Sequence, residues 1–276
     1  MSEFPFSGDK LDLDAYLGRI GLGRAGGPDP GTLRMIHRAH LAAFPFENLE
    51  ILLGRPVLLD IKALQEKLVD RRRGGYCFEH NLLLAAVLER LGFAVWGLAA
   101  RVSRDDGGVA PVTHMALGVH AGGQDWLCDV GFGGDGLLDP LPLRPAGPVP
   151  QDGRSFAVET RRHGVRVLRT LRPEGWSDLY AIGPERRLPV DYAVMNHYTS
   201  THAGSPFVSR LLVQRTEEGV RRSLVGRALK VTRSDGSREQ RDVGGGELRE
   251  VLRSQFLIEL DDADAETLVR VCSVVT

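Results

Sequence analysis

Arg73-Gly74-Gly75-Tyr76-Cys77-Phe78-Glu79-His80-Asn81 sets a cysteine between a glycine pair and the apolar run Leu82-Leu83-Leu84-Ala85-Ala86-Val87-Leu88. The glycines permit a tight turn and close approach by another segment. The run ends at Leu91-Gly92 and reads as a helix with a glycine just past its end. Cys77 therefore falls in the first turn of a buried helix, where unpaired backbone N–H groups and the positive end of the helix dipole favour an anion. A thiol in that position is a candidate nucleophile. The alternative is a small core residue, since unreactive cysteines are commonly buried. The motif by itself leaves these two readings even.

Upstream of Cys77 the pattern is helical. Asp12 or Asp14 caps a short helix carrying Tyr16, Leu17 and Ile20; Pro30 and Thr32 precede a second with Leu33, Ile36, His37 and His40 on one face. Asp60 caps a third with Ile61, Leu64 and Leu68. Beyond Gly92 the texture changes to short alternating or β-branched runs: Phe93 to Val102, His114 to Val119, Asp125 to Val130, Phe156 to Glu159 and Val165 to Leu171. His163-Gly164 is the turn between the last two. The proline- and glycine-rich stretch 139–153 reads as a long surface connection. Further on, Phe207 to Gln214 and Leu224 to Thr232 read as strands, Glu247 to Phe256 as a helix, and Leu268 to Val275 as a final strand or tail. The expected order is a helical bundle, a β-rich body and a mixed α/β portion.

A chain of 276 residues with 42% hydrophobic and 26% charged residues can bury a sizeable core and has the composition of a soluble globular protein. A formal net charge of -1 argues against a general nucleic-acid binder. The three cysteines, Cys77, Cys128 and Cys272, are widely spaced with no CxxC pair, so neither a disulfide framework nor a zinc knuckle is indicated. No basic-then-apolar leader opens the sequence, and no apolar run approaches the about 18 residues of a membrane helix. A cytoplasmic location is expected, where a free cysteine can be kept for chemistry.

A reactive cysteine needs a base, and the base an orienting group. With eight histidines in the chain, a histidine somewhere is no evidence. The useful feature is the hairpin His114-Met115-Ala116-Leu117-Gly118-Val119-His120 and Asp125-Trp126-Leu127-Cys128-Asp129-Val130 around Ala121-Gly122-Gly123-Gln124. A two- or four-residue loop puts His114 and Asp129 on one face, either directly opposite or with His114 opposite Gly131 and Asp129 on the diagonal. A three-residue loop would separate them. A buried carboxylate holds the imidazole tautomer and stabilises the imidazolium, which in turn stabilises a thiolate. Taken singly, His114 could end a strand at the surface and Asp129 could cap the turn before Gly131.

Arg73-Gly-Gly-Tyr-Cys77-Phe-Glu-His-Asn81 resembles the RGGxCxELN signature of the arylamine N-acetyltransferases, whose catalytic core is similar to that of papain-like proteases and transglutaminases. Pro45-Phe46-Glu47-Asn48-Leu49, Thr113-His114-Met115, Asp129-Val130-Gly131-Phe132-Gly133, Tyr198-Thr199-Ser200-Thr201-His202 and Ser205-Pro206-Phe207 also match, in the family's order, from about Tyr16 to Leu260. The resemblance implies an α+β fold with an N-terminal helical bundle (1–92), a central β-barrel (93–195) and a C-terminal α/β lid (196–276). It implies Cys77 as nucleophile, His114 as base and Asp129 as orienting carboxylate. Acetyl-coenzyme A would be a cosubstrate, with no tightly bound cofactor and no metal, and an arylamine, arylhydrazine or arylhydroxylamine would accept the acetyl group in a ping-pong cycle. Phe46 and Phe132 match acceptor-lining positions; Thr113, Gly133 and Phe207 match positions along the coenzyme cleft. Glu47 and Arg73 match a structural ion pair. Partners beyond these small molecules are not implied: no nucleic acid and no membrane, and a monomer or small homo-oligomer. One departure stands out. His80 replaces the family's usual leucine, and on a helix it neighbours Cys77, so it could compete as a base or face a subdomain interface.

Other signals carry less. Gly21-Leu22-Gly23-Arg24-Ala25-Gly26 matches a dinucleotide fingerprint literally, but it follows a helix rather than a strand, and Gly27-Pro28 interrupts what comes next. Asp261-Asp262-Ala263-Asp264 with Glu266 lacks calcium-loop spacing and reads as a solvated face. Cys128 should point away from Asp129, into the packing. Alternative functions are an amide synthase using carrier-bound acyl donors, a thiol hydrolase, protease or transglutaminase with the same three residues, and a non-enzymatic binding module.

Overall fold

The computed structural model describes residues 5–104, 106–144 and 147–274; the readings that touch residues 1–4 and Val275 lie outside the described residues. Helices start where the sequence places their caps. Asp12 accepts from the Ala15 N–H and opens α1 (Leu13–Arg19). Asp29 accepts from the Gly31 and Thr32 N–H groups, and Pro30 takes the first position of α2 (Pro30–Ala43). Leu33, Ile36, His37 and His40 share the buried face of α2. After β1 (Phe46–Glu47) and α3 (Leu49–Leu52), Asp60 caps α4 (Ile61–Leu64), which runs on into a π-helical turn over Gln65–Asp70. The apolar run is α5 (Cys77–Arg90), buried from Cys77 to Leu88, and Gly92 follows with a φ of 85°. An all-round apolar helix belongs at the centre of a bundle, and that is its place.

The strands that follow are β2 (Ala94–Val102), β3 (His114–Ala121), β4 (Gln124–Cys128), β5 (Leu141–Pro142), β6 (Val149–Gln151), β7 (Arg154–Thr160), β8 (Arg166–Arg172) and β9 (Gly175–Arg187). They form one antiparallel sheet in the order β5-β4-β3-β2-β9-β8-β7-β6. The sheet curls until its ends meet. Gln151 accepts from the Leu138 and Asp139 N–H groups and donates to the Asp139 carbonyl, tying β6 to the approach to β5. The result is a nearly closed barrel around Leu98, Phe156, Leu168, Tyr180 and Ile182.

One expectation is corrected here, and one strand was not foreseen. The stretch 139–153 is not simply a surface connection: it holds β5 and β6 and buries Asp139, Leu141, Leu143 and Gln151. Its prolines are tolerated because both strands lie at the ends of the sheet. The long strand β9 has no clear sequence signal, because it mixes Asp178, Pro184, Glu185 and two glycines, and register shifts against β8 and β2 break its alternation.

The last portion contains α6 (Pro189–Thr201), α7 (Pro206–Ser209), β10 (Leu212–Glu217), β11 (Val220–Val225), β12 (Ala228–Arg233), β13 (Arg238–Asp242), α8 (Leu248–Phe256) and α9 (Asp262–Val274). Three readings change. Phe207 lies in a helical turn, since Pro206 opens it and Ser205 accepts the Phe207 N–H; the strand begins only at Leu212. Leu224 to Thr232 is not one strand but parts of two, folded back at Gly226 (φ 56°) with Val225 opposite Ala228. Leu268 lies in α9, not in a strand, because Asp261 caps that helix through the Asp264 N–H and the β-branched residues after it are overridden. The acidic cluster is only partly solvated: Asp264 is buried and paired with Arg55, Nη1 to Oδ2, at 2.9 Å. The second sheet runs β1-β10-β11-β12-β13, so β1 leaves the helical portion to pair with the lid, Phe46 opposite Gln214. The molecule is α+β: helical bundle, barrel and α/β lid.

Candidate active site

The turn before Cys77 is built by close approach. A Cβ on Gly74 would lie 2.0 Å from the Pro45 carbonyl oxygen, and one on Gly75 would lie 2.8 Å from the Glu79 Cβ. The Gly75 N–H donates to Pro45 O, and the Glu47 N–H donates to Gly75 O at 2.7 Å. Glu79 then clamps the helix start: Oε2 accepts the Tyr76 N–H at 3.0 Å, and Oε1 meets Lys67 Nζ at 2.7 Å. Lys67 also lies 3.9 Å from Glu47, and the Arg73 guanidinium reaches Glu47 and Glu50 at 3.2 Å each, so the expected Glu47–Arg73 pair is present within a larger buried network. Burial presses the Lys67 ammonium down, but Glu79 and Glu47 outweigh it and hold it above its usual value. Burial and the Glu47 charge push Glu79 up, with Lys67 opposing.

The hairpin turns through Gly122-Gly123, with Ala121 opposite Gln124 and Leu117 opposite Cys128. This is the two-residue loop, in the diagonal register. Strand pairing stops at Cys128, and the chain folds so that Asp129 accepts from His114 Nε2 at 2.7 Å, both side chains buried. Asp129 Oδ1 also accepts from the Gly131 N–H at 2.9 Å and from Asn81 Nδ2 at 3.1 Å. Burial lowers the His114 pKa, but the Asp129 charge and hydrogen bond, joined by Cys77, raise it to about 10. Burial raises Asp129, and His114, Asn81 and the Gly131 N–H together bring it below the usual carboxylate value. Each partner therefore favours the charged form of the other. Cys77 is the first residue of α5, its Sγ is 3.8 Å from the Thr113 carbonyl, and its thiol is among the groups that raise His114. Since Nε2 belongs to Asp129, Nδ1 is the nitrogen left for sulfur. The three residues proposed from the sequence thus meet at one point.

Sequence reasoning did not assign roles to three neighbours. Asn81 lies one helical turn beyond Cys77 and on the same face; besides Asp129 it donates to Met115 O at 2.7 Å and accepts the Val130 N–H, fastening α5 to β3 and to the turn that follows β4. The motif contained Asn81, and its i,i+4 spacing from Cys77 was the available signal. His37 Nε2 accepts the Asp129 N–H at 3.2 Å while Nδ1–H donates to Leu138 O at 3.0 Å. Tyr180 is buried with its hydroxyl near the Asp129 charge but in no regular hydrogen bond, and its ring lies 5.0 Å from that of His114. Neither His37 nor Tyr180 has a local signal.

Gly131 sets the approach of the aspartate turn to the helix. A Cβ there would lie 2.6 Å from Cys77 Cα and 2.8 Å from Cys77 O. Gly131→Ala is therefore expected to separate sulfur from imidazole and slow acylation of Cys77 by about 100-fold, the scale set by displacements near 1 Å. Single-turnover acylation kinetics measure this directly; an unchanged rate would mean the turn can yield without moving His114.

Aromatic rings flank the site in two groups. Phe46 is 6.0 Å from Phe207, which is 5.5 Å from Tyr76; Phe132 is 5.3 Å from His114 and 5.1 Å from Tyr180. Thr113 is half-buried beside His114. Gly133 has a φ of 90°, and a Cβ on it would strike Gln214 Oε1, which accepts the Gly134 N–H. Gln214 is also the strand partner of Phe46, so lid, barrel loop and helical portion converge at this edge. Cys128 is fully buried in the apolar cluster, as its parity predicts. His80 is buried too, but its partners are His40 and the Pro45 carbonyl, both within the helical portion rather than at a subdomain interface. Beyond the loop, a cavity of about 510 Å³ is lined by Asp135, Arg154, Arg172, Arg221, Lys230 and Arg238 among others; no triad residue lines it.

The model of a family described as N-acetyltransferase matches residues 29–265. The arylamine N-acetyltransferase of Mycolicibacterium smegmatis is 43% identical over 272 residues, covering 96% of this chain and 98% of that protein. Among solved structures, the arylamine N-acetyltransferase of Nocardia farcinica superimposes with a TM-score of 0.90 at 42% identity, covering 97% of this chain and 96% of that one. The Mycobacterium marinum enzyme, solved in complex with CoA, superimposes with a TM-score of 0.89 at 35% identity, over 96% of this chain and 99% of that one. Similarity of this extent, end to end in sequence and in fold, places the chain in the arylamine N-acetyltransferase family.

Proposed function

We propose that the chain transfers an acetyl group from acetyl-coenzyme A to the nitrogen or oxygen of arylamines, arylhydrazines or arylhydroxylamines through a thioester on Cys77. The buried His114–Asp129 pair at 2.7 Å, set against a thiol at the first position of a helix, is the observation that carries this reading. His114 takes the thiol proton as sulfur attacks the acetyl carbon; the carbon–sulfur bond to coenzyme A breaks, and coenzyme A leaves as a thiol with that proton. In the second half, the amine attacks the thioester and gives its proton to His114; the bond to Cys77 breaks and sulfur regains the proton. Backbone N–H groups in the first turn of α5 steady each oxyanion. Arylamines suit this step because their nitrogen is largely neutral at pH 7. Phe46 and Phe132 are assigned to the acceptor wall, and Thr113, Gly133 and Phe207 to the coenzyme. The arginine-rich cavity that begins at Asp135 has the charge to receive the coenzyme's phosphates.

The division 1–92, 93–195 and 196–276 is retained as a proposal, supported by three apolar clusters centred on α5, the barrel and β10 with α8. The helix α6 and the strand β1 tie these parts together across the boundaries. Among the described residues no helix is long and apolar enough to cross a membrane. A cytoplasmic monomer or small homo-oligomer suits an enzyme that must keep Cys77 reduced.

Intact mass after incubation with acetyl-coenzyme A tests the function. One acetyl adduct is expected on the wild type, absent in Cys77→Ala, and cleared by aniline-type amines. An adduct that persists with every amine, or acylation only by carrier-bound donors, would exclude this reading and favour an amide synthase.

A further inference from the structure

His80 lies three residues from the nucleophile, yet both of its ring nitrogens are engaged elsewhere. Nε2 meets the Pro45 carbonyl at 3.1 Å, and Nδ1 meets His40 Nε2 at 2.9 Å. His40 Nδ1 in turn meets the Tyr16 hydroxyl at 2.9 Å. Tyr16, His40 and His80 are all buried, each with at most 1% exposure. A carbonyl can only accept, so His80 carries its proton on Nε2. With a neutral ring, Nδ1 must accept, so His40 donates from Nε2. His40 Nδ1 is then an acceptor, and Tyr16 donates to it. With both imidazoles neutral, one proton arrangement satisfies the whole chain. Burial lowers both, His80 to about 4.

The chain runs from α1 through α2 to α5 and ends on Pro45, the residue before Phe46. That carbonyl also accepts the Gly75 N–H, so it is held from two sides. Phe46 lies with its ring 4° from parallel to the His80 imidazole at 6.4 Å, and next to Phe207. A leucine at position 80 would leave the His40 Nε2 donor and one side of Pro45 O without their partner.

We infer that Tyr16, His40 and His80 form a buried polar strut that positions Pro45 and Phe46, and through Phe46 sets the affinity for the aromatic acceptor; this rests on the acetyl-transfer reading above. His80 is a positioning residue and takes no part in moving the thiol proton.

The test separates the two half-reactions in His80→Leu and Tyr16→Phe. Acetylation of Cys77 by acetyl-coenzyme A keeps its wild-type rate and pH profile in both, while KM for a bulky aromatic amine rises about tenfold in His80→Leu and less in Tyr16→Phe, with kcat little changed. Slowed acetylation or a shifted pH profile would overturn the inference by placing His80 on the thiol, and an unchanged acceptor KM would overturn it by removing Phe46 from its reach. Should His80→Leu fail to fold, long-range ¹H–¹⁵N spectra of wild-type imidazoles decide. Both His40 and His80 are expected as Nε2–H tautomers with no titration between about pH 5 and pH 8; an Nδ1–H tautomer or a titrating ring at either position defeats the strut. Wild-type protein that takes no acetyl group would remove the catalytic reading and leave the tautomer result standing.

Discussion

Asp129→Asn is expected to slow acetylation of Cys77 by about 10³- to 10⁴-fold without unfolding the protein, the scale of the same substitution in a serine protease triad. The reason is a tautomer. Asparagine can still accept from the Gly131 N–H and from Asn81 through its carbonyl oxygen, so the turn survives. Its amide NH₂ then points at His114 Nε2, which must become an acceptor and place the ring proton on Nδ1, facing sulfur. The imidazole can no longer take the thiol proton. Single-turnover acetylation measures the rate; a loss of less than about tenfold would show that Asp129 does not set the tautomer.

The same substitution has a signed effect on stability. His114 is raised to about 10 in the fold, so its pair with Asp129 contributes fully below the unfolded histidine value and is lost as pH rises through about 10. Asp129 is held below its usual value, so its contribution is present above that value and is lost as pH falls through the depressed one. The melting-temperature gap between wild type and Asp129→Asn should therefore be widest near pH 5 to 6 and shrink toward pH 10. A gap independent of pH would deny the ionic pair.

Lys67→Met is expected to cost about 3–5 kcal/mol of folding stability, the scale for breaking a buried ion pair by removing one partner. Lys67 lies 2.7 Å from Glu79 and 3.9 Å from Glu47, all three buried. Its loss leaves Glu79 without its counter-charge and near the Glu47 charge beneath the turn that carries Cys77, while Glu47 keeps Arg73. A loss of that size is a large part of the about 5–15 kcal/mol available to a domain. Urea unfolding measures it. The double variant Lys67→Met/Glu79→Gln should recover part of the loss, since a neutral amide still caps the Tyr76 N–H without the orphaned charge. Absence of any recovery would assign the loss to packing alone.

Much of the site was legible because its signals are local. Asp12, Asp29 and Asp60 cap helices through N–H groups two or three residues away. The glycine pair and the apolar run place Cys77 at a helix start without reference to the rest of the chain. The parity of His114 and Asp129 follows from the period of a strand and a two-residue turn. Where the reading failed, a local preference lost to its surroundings. β9 is held by β2 and β8 on its two sides despite its composition, and α9 is helical because Asp261 caps it against its β-branched residues.

The sequence by itself determined the family, the three chemical groups and which face of the hairpin two of them share, since each depends on residue type and spacing along the chain. Only the tertiary structure decided what stands around them. Asn81 meets Asp129 across 48 residues, His37 meets Leu138 across 101, and His80 meets His40 across 40. Such partners become neighbours only when sheet and bundle close, so no periodicity records them. His80 is the clearest case: its spacing from Cys77 suggested a rival base, and packing turned its two nitrogens toward His40 and Pro45 instead.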